Sequence, residues 1–197
     1  MAQARRLVLA SASSYRRELL ARLGLAFECA VPDCDESPLA GEAARDTALR
    51  LCVAKARAVA PRFPDALIIS SDQVATRDGE RLGKPGAHDR AVEQLRSLSG
   101  RAADFFTAVA VLDARSGAAQ TRVVPCRVAF RTFDDRTIEL YLRREQPYDC
   151  AASAKSEGLG IALIERIETE DPTSLVGLPL IALTELLGRA GLPVLGR

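Results

Sequence analysis

Two short apolar runs, Arg6 to Ala10 and Ala66 to Ser70, each stop at a cluster of small polar residues, Ser11-Ala12-Ser13-Ser14 and Ser71-Asp72-Gln73. Runs of about five residues are too short for buried helices; with Val8, Ile68 and Ile69 among them they read as buried strands. Helical spacing follows the first run at once. Leu19, Leu20 and Leu23 recur within Tyr15 to Leu23, with serine hydroxyls to cap the start and Gly24 to stop the end.

The alternation continues along the chain. Phe27 to Val31 reads as a strand, and residues 42–60 as a long helix with Ala48, Cys52, Ala56 and Val59 on one face. Asp78-Gly79 is a two-residue hairpin signal. Residues 87–98 read as a helix closed by Gly100, and 103–113 and 119–132 as long strands around Arg115-Ser116-Gly117. A capped helix over 134–144, a strand over 161–167 and a helix over 180–189 complete the pattern. The expected fold class is α/β, a mixed twisted sheet flanked by helices. The 197 residues suit one domain, 1–197, with two lobes around a central cleft.

Net charge is +1, and no basic excess exists to gather on one face, so neither nucleic acid nor a membrane surface is an expected partner. Aromatic residues make up 5% with no Trp, which disfavours a base-stacking platform. No stretch approaches the roughly 20 apolar residues of a membrane span. Met1 to Arg6 is followed by only four apolar residues before Ser11, too few for a signal-peptide core, so a cytoplasmic location is expected. The five cysteines, Cys29, Cys34, Cys52, Cys126 and Cys150, are odd in number and contain no CxxC, so most are expected to be small core residues. His88 alone cannot complete a zinc site.

Of the 27 basic residues only Lys55, Lys84 and Lys155 are lysine. Where arginine has replaced lysine almost everywhere, the positions that keep it are candidates for needing a compact ammonium.

Four polar clusters lie near predicted strand ends, where α/β proteins tend to place their sites. Ser11 to Arg17 sits at a strand-to-helix turn, where free N–H groups and the helix dipole favour an anion; a plain serine cap with two solvated arginines fits as well. Asp33, Asp35 and Glu36 could hold Mg²⁺ or Mn²⁺, or form an acidic solvent-facing loop. Asp72, directly after a buried strand, could be a positioned base or metal ligand, or a loop cap. Ser153 to Gly158, with Lys155 and Glu157, could clasp a substrate or form a surface turn. Together these suit metal-assisted phosphoryl chemistry better than any histidine-based scheme.

In order along the chain, the pieces Leu9-Ala10-Ser11-Ala12-Ser13 with Arg16-Arg17, Asp35-Glu36, Lys55-Ala56, Ser71-Asp72-Gln73-Val74, Gly83-Lys84-Pro85, Ser153 with Lys155-Ser156-Glu157-Gly158, and Asp171 with Val176-Gly177-Leu178-Pro179 resemble the Maf-like nucleotide pyrophosphatases over essentially the whole length. Tyr15, Gln73 and the Lys-Ser-Glu-Gly loop look like the branch acting on 7-methyl-GTP; the branch acting on dTTP and UTP is the alternative. A non-catalytic nucleotide-binding regulator of cell division is a second alternative.

The resemblance implies hydrolysis of a nucleoside triphosphate between the α- and β-phosphates. It makes Asp72 the proton acceptor and assigns base selection to Tyr15, Gln73 and Glu157. Ser11, Ser13, Arg16, Arg17, Lys55, Lys84 and Lys155 would hold the triphosphate, Glu36 and Asp72 a divalent cation (Mg²⁺ or Mn²⁺). A homodimer is possible on the same ground. Three residues depart from the family pattern: Ser14 stands where proline is usual, Ala152 where glycine is usual, and Ala154 where an aromatic is usual.

Overall fold

A computed structural model describes residues 5–196. Met1–Ala4, the start of the segment read as lacking a signal-peptide core, and Arg197 lie outside the described residues. The chain alternates strands β1 (Leu7–Ala10), β2 (Glu28–Ala30), β3 (Leu67–Arg77), β4 (Glu80–Leu82), β5 (Ala102–Asp113), β6 (Ala119–Phe130) and β7 (Ile164–Thr169) with helices α1 (Ser14–Ala21), α2 (Ala44–Val59), α3 (His88–Leu98), α4 (Asp135–Glu145) and α5 (Leu180–Arg189). The strands form one mixed sheet in the order β2-β1-β3-β5-β6-β7, with β4 paired to β3 off that path. β1 is parallel to β2 and β3, while β4 pairs β3 and β7 pairs β6 antiparallel. The fold is therefore α/β with a mixed sheet, as expected. No helix among the described residues is long and apolar enough to cross a membrane.

Two compact units share the chain: residues up to 73, 107–124 and from 171 onward form the first, and 74–106 with 125–170 the second. In the first unit β1 is buried on both faces, and its period of two decides what each residue meets. Leu7 and Leu9 join Leu19 and Leu20 of α1 and Leu183, Leu186 and Leu187 of α5. Val8 and Ala10 face Ala56 and Val59 of α2. In the second unit α3 packs on α4, and β6 alternates exposed Pro125 and Arg127 with buried Cys126, Val128 and Phe130.

Three expectations need correction. Ser71, Asp72 and Gln73 do not follow the strand; they lie inside β3, which runs on to Arg77. Polar residues can stay in a buried strand when each finds a partner, and here all three do. The segment 161–167 is not a strand throughout: residues 159–163 form a short 3-10 turn and β7 starts at Ile164. Ile161 N–H bonds back to Gly158 C=O, and Leu159 N–H is tied to Glu145 Oε2 at 2.6 Å, so the chain cannot extend before Leu163. Finally, all five cysteines are free thiols, but only Cys52 and Cys126 are buried. Cys29 lies exposed on the three-residue edge strand β2, and Cys34 and Cys150 lie half-buried in loops.

Candidate active site

In the first unit, β1 hands over to α1 through a turn built from serines. Ser11 is buried and its Oγ accepts the Ser13 N–H at 3.1 Å. Ser13 is the N-cap of α1, its Oγ accepting the Arg16 N–H at 3.4 Å. Arg16, half-buried, donates Nε–H to the Gly177 carbonyl at 2.9 Å. Burial pulls its pKa down, and the Asp72 charge opposes that shift; a guanidinium stays protonated regardless. Arg17 is exposed and Tyr15 half-buried on the same helix.

Behind this turn, α2 and β3 bring an ammonium between two carboxylates. Thr47, Ala48, Leu51, Cys52, Lys55, Ala56 and Val59 form the buried stripe of α2, so Lys55 occupies a position that helical periodicity reserves for an apolar residue. Its Nζ lies 2.6 Å from Asp72 Oδ1 and 2.6 Å from Glu36 Oε2. Lys55 and Asp72 are both 6% exposed, whereas the Glu36 side chain on its loop is 56% exposed. Burial pushes the Asp72 carboxyl above the usual aspartate range; Lys55 and then Arg16 hold it down in part, while Glu36 adds to the rise. Asp72 Oδ2 makes no hydrogen bond among the described residues.

The alternate residues of β3 point to the opposite side. Ser71 Oγ–H is shared between the Ala108 and Gly177 carbonyls at 2.7 Å each. Gln73 directs its amide nitrogen to Thr107 Oγ1, Ser174 O and Leu175 O at 2.9, 3.0 and 3.1 Å. The Gln73 NH₂ is thereby committed to the protein, which leaves Oε1 as the atom able to meet a ligand. Gly177 has a φ of 118°, a conformation that needs glycine, and its carbonyl fixes both Arg16 and Ser71. Asp171, 1% exposed and part of the motif that ends in Val176-Gly177-Leu178-Pro179, caps α5 from a distance. Its Oδ1 accepts from Thr173 N–H and Oγ–H, and its Oδ2 from Ile181 and Ala182 N–H.

Lys84, Lys155 and Glu157 belong to the second unit. Lys84 is exposed beside the Gly83 turn and forms no ion pair among the described residues. Gln94 of α3 donates Nε2–H to Gly83 O at 2.8 Å and accepts Ser153 Oγ–H on Oε1 at 2.6 Å, joining the Lys84 and Lys155 segments. Lys155 N–H bonds the Tyr141 hydroxyl at 3.0 Å, and its Nζ lies 3.2 Å from Glu145 Oε1, which raises its pKa. The loop needs its glycines: a Cβ on Gly158 would lie 2.7 Å from the Glu145 carboxylate, and one on Gly160 2.5 Å from Lys155 O. Ala152 and Ser153 both hold positive φ, 60° and 55°. Glu157 is exposed, accepting from Ser156 Oγ at 3.3 Å. Gln94, Tyr141 and Glu145 had no sequence signal beyond their polarity, and Asp171 stood in a motif without a role; only the fold reveals what they hold.

Among the described residues no three His, Cys, Asp or Glu side chains are grouped to hold a metal. Glu36 and Asp72 do converge on one cation, the Lys55 ammonium, and both offer oxygen. That donor set fits Mg²⁺ or Mn²⁺, which commonly take one or two carboxylates and complete their shell from phosphate and water. A pocket of about 390 Å³ in the second unit, lined by Phe105, Phe106, Pro125, Cys126, Arg127, Glu168 and others, holds none of the candidate catalytic, phosphate-binding, base-selecting or metal-binding residues.

Comparison with known proteins bears on this arrangement. A 7-methyl-GTP pyrophosphatase of Cupriavidus pinatubonensis is 60% identical over 188 residues, 95% of this chain and 94% of its own. The proteins of that name from Thiobacillus denitrificans and Bordetella pertussis are 59% and 58% identical, covering 96% and 95% of this chain and 94% and 93% of theirs. A solved HAM1 protein from Coxiella burnetii overlaps 64% of this chain and 73% of its own at a TM-score of 0.46 and 18% identity. The Maf-like protein family matches residues 6–190. The chain belongs to the Maf-like family.

Proposed function

We propose that this chain is a nucleoside triphosphate pyrophosphatase acting on 7-methyl-GTP, as its similar relatives are named, and that it releases the monophosphate and pyrophosphate. The observation that carries the chemistry is the state of Asp72: Oδ1 is pinned by Lys55 at 2.6 Å while Oδ2 has no protein partner among the described residues.

Asp72 Oδ2 accepts a proton from the water that attacks the α-phosphorus. The new O–P bond forms as the bond from the α-phosphorus to the bridging oxygen breaks, and pyrophosphate leaves with that oxygen. Lys55 keeps the carboxylate charged and oriented. Ser11, Ser13, Arg16 and Arg17 at the α1 N-terminus receive phosphate oxygens. Glu36 and Asp72 would hold a divalent cation, which would neutralise charge on the triphosphate. Lys84 and Lys155 are assigned to phosphate on their family positions and chemistry. Methylation at N7 gives the guanine a positive charge, which Tyr15 can stack on and Glu157 can pair with; Gln73 Oε1 adds an acceptor. A cytoplasmic nucleotide pool is the natural setting for such an activity.

Purified protein incubated with Mg²⁺ or Mn²⁺ and 7-methyl-GTP, GTP, dTTP, UTP and CTP tests this. Pyrophosphate appearing fastest from 7-methyl-GTP is the expected result. Preference for dTTP or UTP overturns the base assignment, release of single phosphates overturns the reaction, and binding without turnover favours a regulator.

A further inference from the structure

A glutamine amide has two ends of nearly equal size and opposite hydrogen bonding, so a free one offers a ligand either a donor or an acceptor. At Gln73 the fold makes the choice. Gln73 lies on β3 beside β5, the strand that carries Thr107, and both side chains reach the turn at Ser174. Gln73 Nε2 meets three oxygens there: Thr107 Oγ1 at 2.9 Å, Ser174 O at 3.0 Å and Leu175 O at 3.1 Å. Two of these are carbonyls, which only accept. The third is a hydroxyl, but Thr107 gives its proton to Ser174 O at 2.9 Å, so towards Gln73 it too is an acceptor. Thr107 and Ser174 are fully buried, and Ser174 O is fixed further by the Gly177 N–H at 3.0 Å. Turning the amide over would set Oε1 against two carbonyl oxygens with no proton between them, which is costly. Gln73 is half-buried, and the end it keeps for a ligand is Oε1.

Nucleobases differ in what they show to such an acceptor. Guanine presents a ring N–H beside an amino group, two donors side by side. Adenine and cytosine set their amino group beside a bare ring nitrogen, and thymine and uracil flank one N–H with two carbonyls. Only the guanine edge meets a lone acceptor without bringing a second acceptor close to it. Methylation at N7 lies on the opposite edge and leaves both donors in place.

We infer that Thr107 is a positioning residue for base selection: with the Ser174 and Leu175 carbonyls it holds Gln73 as a pure acceptor, which takes the amino group of a guanine edge. This rests on the reading of the chain as a 7-methyl-GTP pyrophosphatase. Thr107 itself, fully buried, acts only through Gln73.

Calorimetric binding of the monophosphates 7-methyl-GMP and 7-methyl-IMP, which differ only in the amino group, tests this without turnover. The wild-type chain binds 7-methyl-GMP about tenfold more tightly, the worth of one hydrogen bond. Thr107→Val keeps the branched shape and drops the hydroxyl; it cuts that ratio to about threefold or less, and Thr107→Ser restores it. Gln73→Met abolishes the preference, and adding Thr107→Val to it changes the ratio no further, a coupling that lost stability alone would not give. The Gln73 NH₂ resonances, identified by their loss in Gln73→Met, exchange slowly with solvent in the wild type and fast in Thr107→Val. Thermal unfolding verifies each fold, and Thr107→Ala replaces the valine variant if that one does not fold. Equal binding of the two monophosphates by the wild type overturns the amino-group contact while the proposed activity stands. A ratio that Thr107→Val leaves at its wild-type value overturns the role of Thr107. Binding of dTMP in preference to 7-methyl-GMP overturns the base assignment on which the inference rests.

Discussion

Lys55 and Asp72 form an ion pair of 2.6 Å with side chains only 8% and 9% exposed, and it joins the buried face of α2 to the middle of β3. Removing one partner of such a pair strands a buried charge. Lys55→Met should therefore cost about 3 kcal/mol of stability, read by urea denaturation. Asp72→Asn should leave nucleotide binding near wild type by calorimetry while lowering kcat by roughly 10³-fold.

The pH profile follows from the same burial. Asp72 titrates above its ordinary 3.8, so its base form is lost at a higher pH than an exposed aspartate would require. The acid limb of kcat/KM should lie above that value, and Lys55→Met should move it further up, since Lys55 is the main influence holding it down. The stability sign is opposite to that of a paired surface carboxylate. With the folded pKa raised, the native state binds the extra proton, so stability falls as pH rises from 3.8 through the folded value. Asp72→Asn should flatten that slope in denaturation series.

Ala152 carries a φ of 60°, which costs an L-residue about 1 kcal/mol. Ala152→Gly should remove that strain and, after the added freedom of the unfolded chain, stabilise the protein by about 0.5 kcal/mol. Calorimetric Tm should rise by roughly 1–2 °C.

Gln94 is the common partner of Gly83 O and Ser153 Oγ, and Ser153 is fully buried. Gln94→Ala should leave that hydroxyl unsatisfied and cost about 1–2 kcal/mol. Because two lysine-bearing segments lose their tie, KM should rise more than kcat falls; Gln94→Glu, which keeps the acceptor oxygen but not the donor, should recover the Ser153 contact only.

Asp171 accepts from the Ile181 and Ala182 N–H groups at the start of α5, where Pro179 offers no side-chain cap, and from Thr173 N–H and Oγ–H before it. Asp171→Ala should cost about 2 kcal/mol in denaturation while leaving kcat of the folded enzyme unchanged. A loss of kcat at full folding would give Asp171 a part in the chemistry instead.

Most elements were legible because their periodicity is local: β1, α1 and α5 reveal themselves through leucine and valine spacing that needs no distant partner. β3 was cut short because Ser71, Asp72 and Gln73 look like a loop unless their partners are known, and those partners lie as far away as Gly177 and Ser174. The same divide runs through the site. Lys55 announced itself by the scarcity of lysine, and its place on an otherwise apolar helical stripe was a second signal in plain view. Gln94 and Glu145 gave none, since exposed-looking polar residues on helices are commonplace until the loops they grip are seen.

The first unit is assembled from three stretches of chain, and the carbonyl that holds Arg16 and Ser71 belongs to Gly177. A nascent chain stalled at residue 170 possesses the serine turn, Lys55 and Asp72, yet lacks the Gly177 carbonyl that holds the neighbouring Arg16 and Ser71 and the helix that covers Leu7 and Leu9. Synthesis therefore keeps this centre unformed until translation has passed α5, so ribosome-bound fragments should be inert towards nucleotides however much of the second unit has already folded.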